Sequence, residues 1–163
     1  MNEKQSINDW FAAEVKDRMD EMGIRPYHLV TLCQIKENEL DSCLNGTKLP
    51  SLFSLILLAD CLECTVNDLL GYDEIEETEV YEQYTASSMY FAPSQYATCL
   101  SDRIRRYLKN RFMTLSDLIK RAELNEGSVR RWFAKTHPHL PSTANFLKIC
   151  DALNCTPSEL LGY

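Results

Sequence analysis

The segment C-T-V-N-D-L-L-G-Y closes at Tyr72, and a near-copy, C-T-P-S-E-L-L-G-Y, closes at Tyr163, 91 residues later. Over residues 59–72 and 150–163, eight of fourteen positions are identical, among them Asp60/Asp151, Leu62/Leu153, Cys64/Cys155 and Gly71/Gly162. A repeat this widely spaced indicates a duplicated domain, because solenoid repeats run at periods of about 20–50 residues. The copies also align upstream: Val15 with Ile104, Leu29 with Leu118 and Leu40 with Val129, each 89 apart. Pro50 and Pro141 stand 91 apart, so the second copy carries two extra residues, placed around 136–139. The chain of 163 residues therefore divides into two domains, each of about 65 residues, near the lower size at which a single apolar core holds without staples.

Each copy reads as five short helices and no strand. The spacing predicts helices over 8–22, 26–33, 37–45, 52–62 and 66–70 in the first copy. In the second it predicts 99–111, 115–122, 126–135, 143–153 and 157–161. Phe11, Val15, Met19 and Met22 recur at intervals of three and four, the stripe of a helix packed on one side. Thr65-x-x-Asp68 and Thr156-x-x-Glu159 have capping-box spacing. Pro50-Ser51 and Pro141-Ser142 set a Ser cap before each fourth helix. Pro157 suits a first helical position, and Gly23 and Gly46 follow helical segments as C-terminal caps do.

These residues carry a family resemblance. The first copy has L-V-x-x-C-x-I-x-x-x-x-L-x-x-C-L-x-G, then L-P-S-L-x-x-L and A-D-x-L-x-C-T-x-x-x-L-L-G. The second has L-I-x-x-A-x-L-x-x-x-S-V-x-x-W, L-P-S-x-x-x-F-L and C-D-A-L-N-C-T-P-S-E-L-L-G-Y. Both resemble the lambda-repressor-like helix-turn-helix family, also called Cro/repressor or XRE-type. The resemblance implies an all-α fold of two five-helix domains, 1–72 and 99–163, joined by a linker, 73–98. It also implies that the second and third helices of each copy form the helix-turn-helix and that the third enters the DNA major groove. Where the family commonly opens its second helix with a Gln that holds a phosphate, this chain has Pro26 and Leu115.

Charge separates the two copies. Residues 1–72 carry 6 Lys and Arg against 12 Asp and Glu, residues 73–98 carry no base and 6 acids, and residues 99–163 carry 11 bases against 6 acids. The net values are −6, −6 and +5 within a total of −7. The distribution of charge, more than its total, is the footprint to read for nucleic-acid binding. In the second copy Asn125 is placed to cap the third helix, and Gly127 and Ser128 are small enough to let its end approach a phosphate. Arg130 and Arg131 fall where helix-turn-helix proteins face base edges, and an Arg there matches guanine O6 and N7. Val129 and Trp132 make the buried side. Thr114, Ser116, Glu126 and Lys135 complete the candidate DNA-binding set, and His137 and His139 follow in the extended loop. Arg103, Arg105, Arg106, Lys109 and Arg111 make the first helix of this copy basic.

The first copy's third helix, K-E-N-E-L-D-S-C, offers only Lys36 and Asn38 as natural DNA partners. Glu37, Glu39 and Asp41 occupy its expected groove-facing stretch, where carboxylates repel a polyanion. This copy is expected to bind DNA weakly or not at all and to meet a protein instead.

The linker begins acidic and becomes Tyr- and Ser-rich. As a flexible chain, its 26 residues would span about 28 Å, close to the ~34 Å between successive major-groove faces. Tyr81, Tyr84, Met89, Tyr90, Phe91 and Tyr96 are too apolar for a plain spacer and are expected to dock on a domain or to build a dimer contact.

Seven cysteines, an odd number, read as core thiols in a reducing cytoplasm. Cys61-x-x-Cys64 has zinc-like spacing, but His28, His137 and His139 supply no second ligand pair. No phosphate loop, H-E-x-x-H or nucleophile elbow occurs. No metal, cofactor or catalysis is expected, and neither a membrane span nor an export signal is seen. The expected function is sequence-specific, repressor-like regulation of transcription in a prokaryotic or phage cytoplasm. Double-stranded DNA is the main partner, with a homodimer and a protein partner for the acidic first domain as further candidates. The alternative is a protein-interaction module of antirepressor or inhibitor type.

Overall fold

The computed structural model describes residues 6–72 and 92–162, which fall into two compact units. The acidic stretch from 73, with Tyr81, Tyr84, Met89, Tyr90 and Phe91, lies outside the described residues, as does Tyr163. All regular structure among the described residues is helical. No described helix is long and apolar enough to cross a membrane.

The first unit comprises α1 (Ile7–Met22), α2 (Pro26–Leu32), α3 (Glu37–Leu44), α4 (Leu52–Cys61) and α5 (Val66–Leu70). Helix α4, L-F-S-L-I-L-L-A-D-C, is apolar nearly all round and is the buried centre, with Leu52, Leu55, Ile56 and Leu58 all at 1 % exposure or less. Helices α2 and α5 pack on it, and α1 packs on α3 and α5. The second unit comprises α6 (Pro93–Asn110), α7 (Leu115–Arg121), α8 (Glu126–Trp132), α9 (Thr143–Leu153) and α10 (Pro157–Leu161).

The same register organises each core. Val15, Leu29, Leu40, Leu58 and Leu69 are buried, and so are Ile104, Leu118, Val129, Ile149 and Leu160 at spacings of 89 or 91. The backbone repeats as well. Positive φ occurs at Gly23 and Phe112, Gln34 and Glu123, Glu63 and Asn154, and Gly71 and Gly162, at those same two spacings.

The caps form where the sequence places them. Ser51 Oγ accepts from Ser54 N at 3.2 Å, and Ser142 Oγ accepts from Asn145 N at 3.3 Å. Thr65 and Asp68 close a reciprocal capping box at 2.8 and 3.1 Å, and Thr156 and Glu159 close theirs at 2.7 and 3.2 Å.

Two helix boundaries differ from expectation by more than one residue. Helix α6 begins at Pro93 instead of residue 99, inside the segment read as linker. Proline at the first helical position sacrifices no hydrogen bond, and Gln95 Oε1 accepts from Ala92 N at 2.8 Å. Ala97, Leu100, Ser101, Ile104 and Leu108 then form one buried stripe, so the Tyr- and Ser-rich composition had masked a helical start. Helix α8 ends at Trp132 instead of residue 135. The Phe133 carbonyl accepts from Arg105 Nη2 at 3.3 Å, and the Arg105 guanidinium lies 5.2 Å from the centre of the Phe133 ring. A cation that satisfies a terminal carbonyl stabilises the helix end there.

Candidate nucleic-acid interface

Helices α7 and α8 are joined by a four-residue turn, Ala122 to Asn125. Leu118 and Val129 are fully buried, with Ala122, Leu124 and Trp132 nearly so. Glu123 takes φ +51° at the corner, and Leu124 N donates to Ile119 O at 2.9 Å. Burial of Val129 and Trp132 turns Glu126, Gly127, Arg130 and Arg131 outward, all of them exposed.

The start of each helix is tied down by its cap. Thr114 Oγ1 accepts from Asp117 N at 3.2 Å, while Asp117 Oδ2 accepts from Thr114 N at 2.8 Å. The Thr114 hydroxyl also donates to that carboxylate at 2.6 Å. These bonds from Thr114, the side-chain one foremost, hold the Asp117 carboxyl below its ordinary value of 3.8. Asn125 Oδ1 accepts from Ser128 N at 3.1 Å. A Cβ at Gly127 would lie 3.2 Å from that Oδ1, so glycine leaves room for the cap.

The arginines are held differently. Arg130 Nη2 pairs with Glu126 Oε1 at 2.6 Å, with both side chains largely in water. Arg131 Nη2 reaches Ser128 Oγ at 3.5 Å, and its carbonyl accepts from His139 N at 3.2 Å, which anchors the long loop to α8. Ser116 is exposed on the first turn of α7. Lys135 lies exposed in the loop, beyond the helix in which it was expected. Thr114, Ser116, Asn125 to Ser128, Arg130, Arg131 and Lys135 thus all belong to one helix-turn-helix and its following loop.

Lys36 and Asn38 belong to the first unit, where both are exposed at the start of α3. Glu39 does not face outward with them. Its Oε1 accepts from Ser51 N at 3.1 Å and so supports the start of α4. The acidic surface of α3 is therefore Glu37 and Asp41. At the 89-residue spacing, Asp41 stands where the second unit has Arg130, and Lys36 where it has Asn125.

An open cleft of about 320 Å³ lies beside the C-terminal end of α8, lined by Arg105, Leu108, Lys109, Met113, Leu115 and Phe133. Among the described residues, no group of three or more His, Cys, Asp or Glu is arranged to hold a metal ion. Burial pushes the Cys43 thiol up to about 11 and Cys64 to about 12. Cys33 is raised further by burial, and Cys150 by its hydrogen bond with Cys155 and by burial. Protonated thiols of this kind are poor nucleophiles.

Residues 103–163 match the model of a family described as a Cro/C1-type HTH DNA-binding domain. The match begins within α6 and takes in α7 to α10. Neither a curated protein nor a solved structure matches the chain. The second unit is thus similar to a DNA-binding helix-turn-helix domain, which supports a DNA-binding regulator.

Proposed function

We propose that the protein is a sequence-specific, repressor-like regulator of transcription that reads DNA chiefly through α8. The observation that carries this reading is the outward face of α8. Arg130 and Arg131 project from a helix whose opposite side is buried by Val129 and Trp132, within the Cro/C1-type match. In this reading the arginines address base edges in the major groove. Ser116, on the first turn of α7, and Lys135 position the phosphate backbone, while Thr114, whose N–H and hydroxyl are both given to Asp117, holds the start of α7 in place. A homodimer raises affinity by bringing two such faces to one operator.

In-vitro selection of duplex DNA with the full chain tests the proposal. A consensus should be enriched by the wild type and lost with Arg130→Ala/Arg131→Ala. Enrichment of no sequence by the wild type, or the same consensus with the double variant, would overturn the assignment.

A second reading applies to the first unit, proposed to be a diverged helix-turn-helix that meets a protein. The repeated core register and the repeated left-handed backbone positions support the common fold. The surface supports the different task. Tyr27 is 62 % exposed and Leu32 46 % exposed at the positions of Ser116 and Arg121 in the second unit, and Asp41 replaces Arg130. Asp41→Arg in the full chain should leave DNA affinity and its salt dependence unchanged. A clear gain in both would place this unit on DNA.

A further inference from the structure

Phe112 is the residue of the second unit whose placement folding does not explain. Its φ is +53°, in the left-handed region that is strained for a bulky L side chain. Its ring is 98 % exposed. The neighbouring Met113 lines the cleft beside α8, whereas Phe112 contributes nothing to that lining. The other non-glycine residues with positive φ among the described residues are Gln34, Glu63, Glu123 and Asn154, all polar. In the first unit the corresponding position is Gly23, with φ +66° and open space around it. Backbone and solvation both favour glycine over phenylalanine at such a site. The loop is nevertheless well tied: Phe112 N donates to Lys109 O at 3.2 Å and Met113 N to Leu108 O at 2.9 Å. A rigid loop that holds an unfavourable side chain outward points to a binding role.

The setting identifies the ligand chemistry. Arg111 precedes the ring, its guanidinium 4.8 Å from the centre of the Tyr107 ring. Arg106, Lys109 and Arg121 are exposed on the adjoining helices, and no Asp or Glu occurs between 103 and 116. Thr114, the cap of the helix-turn-helix, is two residues away. An apolar ring set among cations matches a duplex edge, where phosphates flank deoxyribose and base surfaces.

We infer that Phe112 is an apolar DNA contact that packs its ring on a deoxyribose or base edge at the margin of the binding site, beside phosphates met by Lys109 and Arg111. The inference rests on the DNA-binding reading of α8 given above.

The test uses the full chain, the duplex obtained by selection, fluorescence anisotropy over a salt series and a thermal melt. Phe112→Gly should weaken binding by roughly tenfold, the scale of returning about 50 Å² of apolar ring surface to water. The salt slope should not change, because a phenyl ring releases no counterion. The melting temperature should be no lower than that of the wild type, which a packing role would not allow. Phe112→Asn, also at ease in this backbone region, should behave alike, whereas Arg111→Ala should flatten the slope by about 0.9. Wild-type affinity in Phe112→Gly would overturn the inference while leaving the α8 reading intact. So would unchanged affinity with a loss of self-association in sedimentation, which would make a second copy the occupant. A wild-type chain that binds no duplex would overturn both.

Discussion

Arg130 Nη2 lies 2.6 Å from Glu126 Oε1 across one turn of α8, with both side chains more than half exposed. An exposed pair of this kind stabilises by about 0–1 kcal/mol at most. Its greater consequence is for DNA, because Glu126 holds the cation that is to meet the groove and brings a carboxylate there with it. Glu126→Gln should therefore tighten binding several-fold and steepen the salt slope by about 0.9. The melting temperature should change little, since glutamine keeps a side chain at the first helical position and loses only a modest dipole interaction. Anisotropy titrations between 50 and 200 mM salt, roughly the range over which phosphate contacts are resolved, give both quantities. Unchanged or weaker binding would mean that Glu126 itself contacts a base, with cytosine N4 the natural partner.

The two exposed-looking glutamates of α3 should separate in stability. Glu39 accepts from Ser51 N at 3.1 Å, whereas Glu37 is exposed at the first position of its helix. Removing Glu39 leaves a helix-start N–H without its charged acceptor. Glu39→Ala should cost about 1–2 kcal/mol in a denaturant titration. Glu37→Ala should stay within roughly 0.5 kcal/mol, as surface substitutions do. Equal effects would show that the Ser51 contact is of no consequence.

Where a boundary or a core position depends on local chemistry, the sequence displayed it. Thr65 with Asp68, Thr156 with Glu159, Ser51 and Ser142 all cap as their spacing implies. Leu29/Leu118 and Leu40/Val129 are buried in both units because the two copies share one register. What could not be read depended on contacts distant in the chain. Glu39 is turned by Ser51, twelve residues on, and the carbonyl at the end of α8 is met by Arg105, 28 residues before Phe133. Phe112 was missed for another reason. The aligned glycine, Gly23, marks a left-handed position, but its partner carries a side chain that hides the signal until the backbone angle is known.

Acid should loosen the start of α7 through Asp117. Its carboxyl, accepting from Thr114, titrates below its ordinary value of 3.8 in the folded chain. The stabilisation is then fully present above the unfolded value and is lost as pH falls through the lower folded value. Asp117→Asn should remove this part of the pH dependence below about 4 while leaving the stability profile above pH 5 parallel to the wild type. Chemical denaturation at a series of pH values makes the comparison. An identical acid limb in both proteins would show that Thr114 gives Asp117 no preferential stabilisation when folded.

The repeated L-L-G-Y ending should prove more sensitive than the turn at Gly23 to a single added methyl group. Gly162 has φ +86°, and the Arg103 guanidinium occupies the space that a Cβ at residue 162 would need. Gly71, its counterpart, has φ +70° with the Trp10 ring at 2.9 Å from the same hypothetical atom, and Trp10 Nε1 donates to Asp68 O at 3.2 Å. Gly23 shares the positive φ but has nothing within 4 Å. Gly23→Ala should thus incur only the backbone cost, about 1 kcal/mol. Gly71→Ala must also displace the Trp10 ring and should lose about 2 kcal/mol or more, while Gly162→Ala moves the flexible end of Arg103 and should fall between Gly23→Ala and Gly71→Ala. Urea midpoints for the three variants, with m-values compared for two-state behaviour, decide the order. If Gly23→Ala were as damaging as the other two, backbone strain alone would account for the glycines. The matching endings would then reflect turn geometry, without the packing of Trp10 and Arg103 against them.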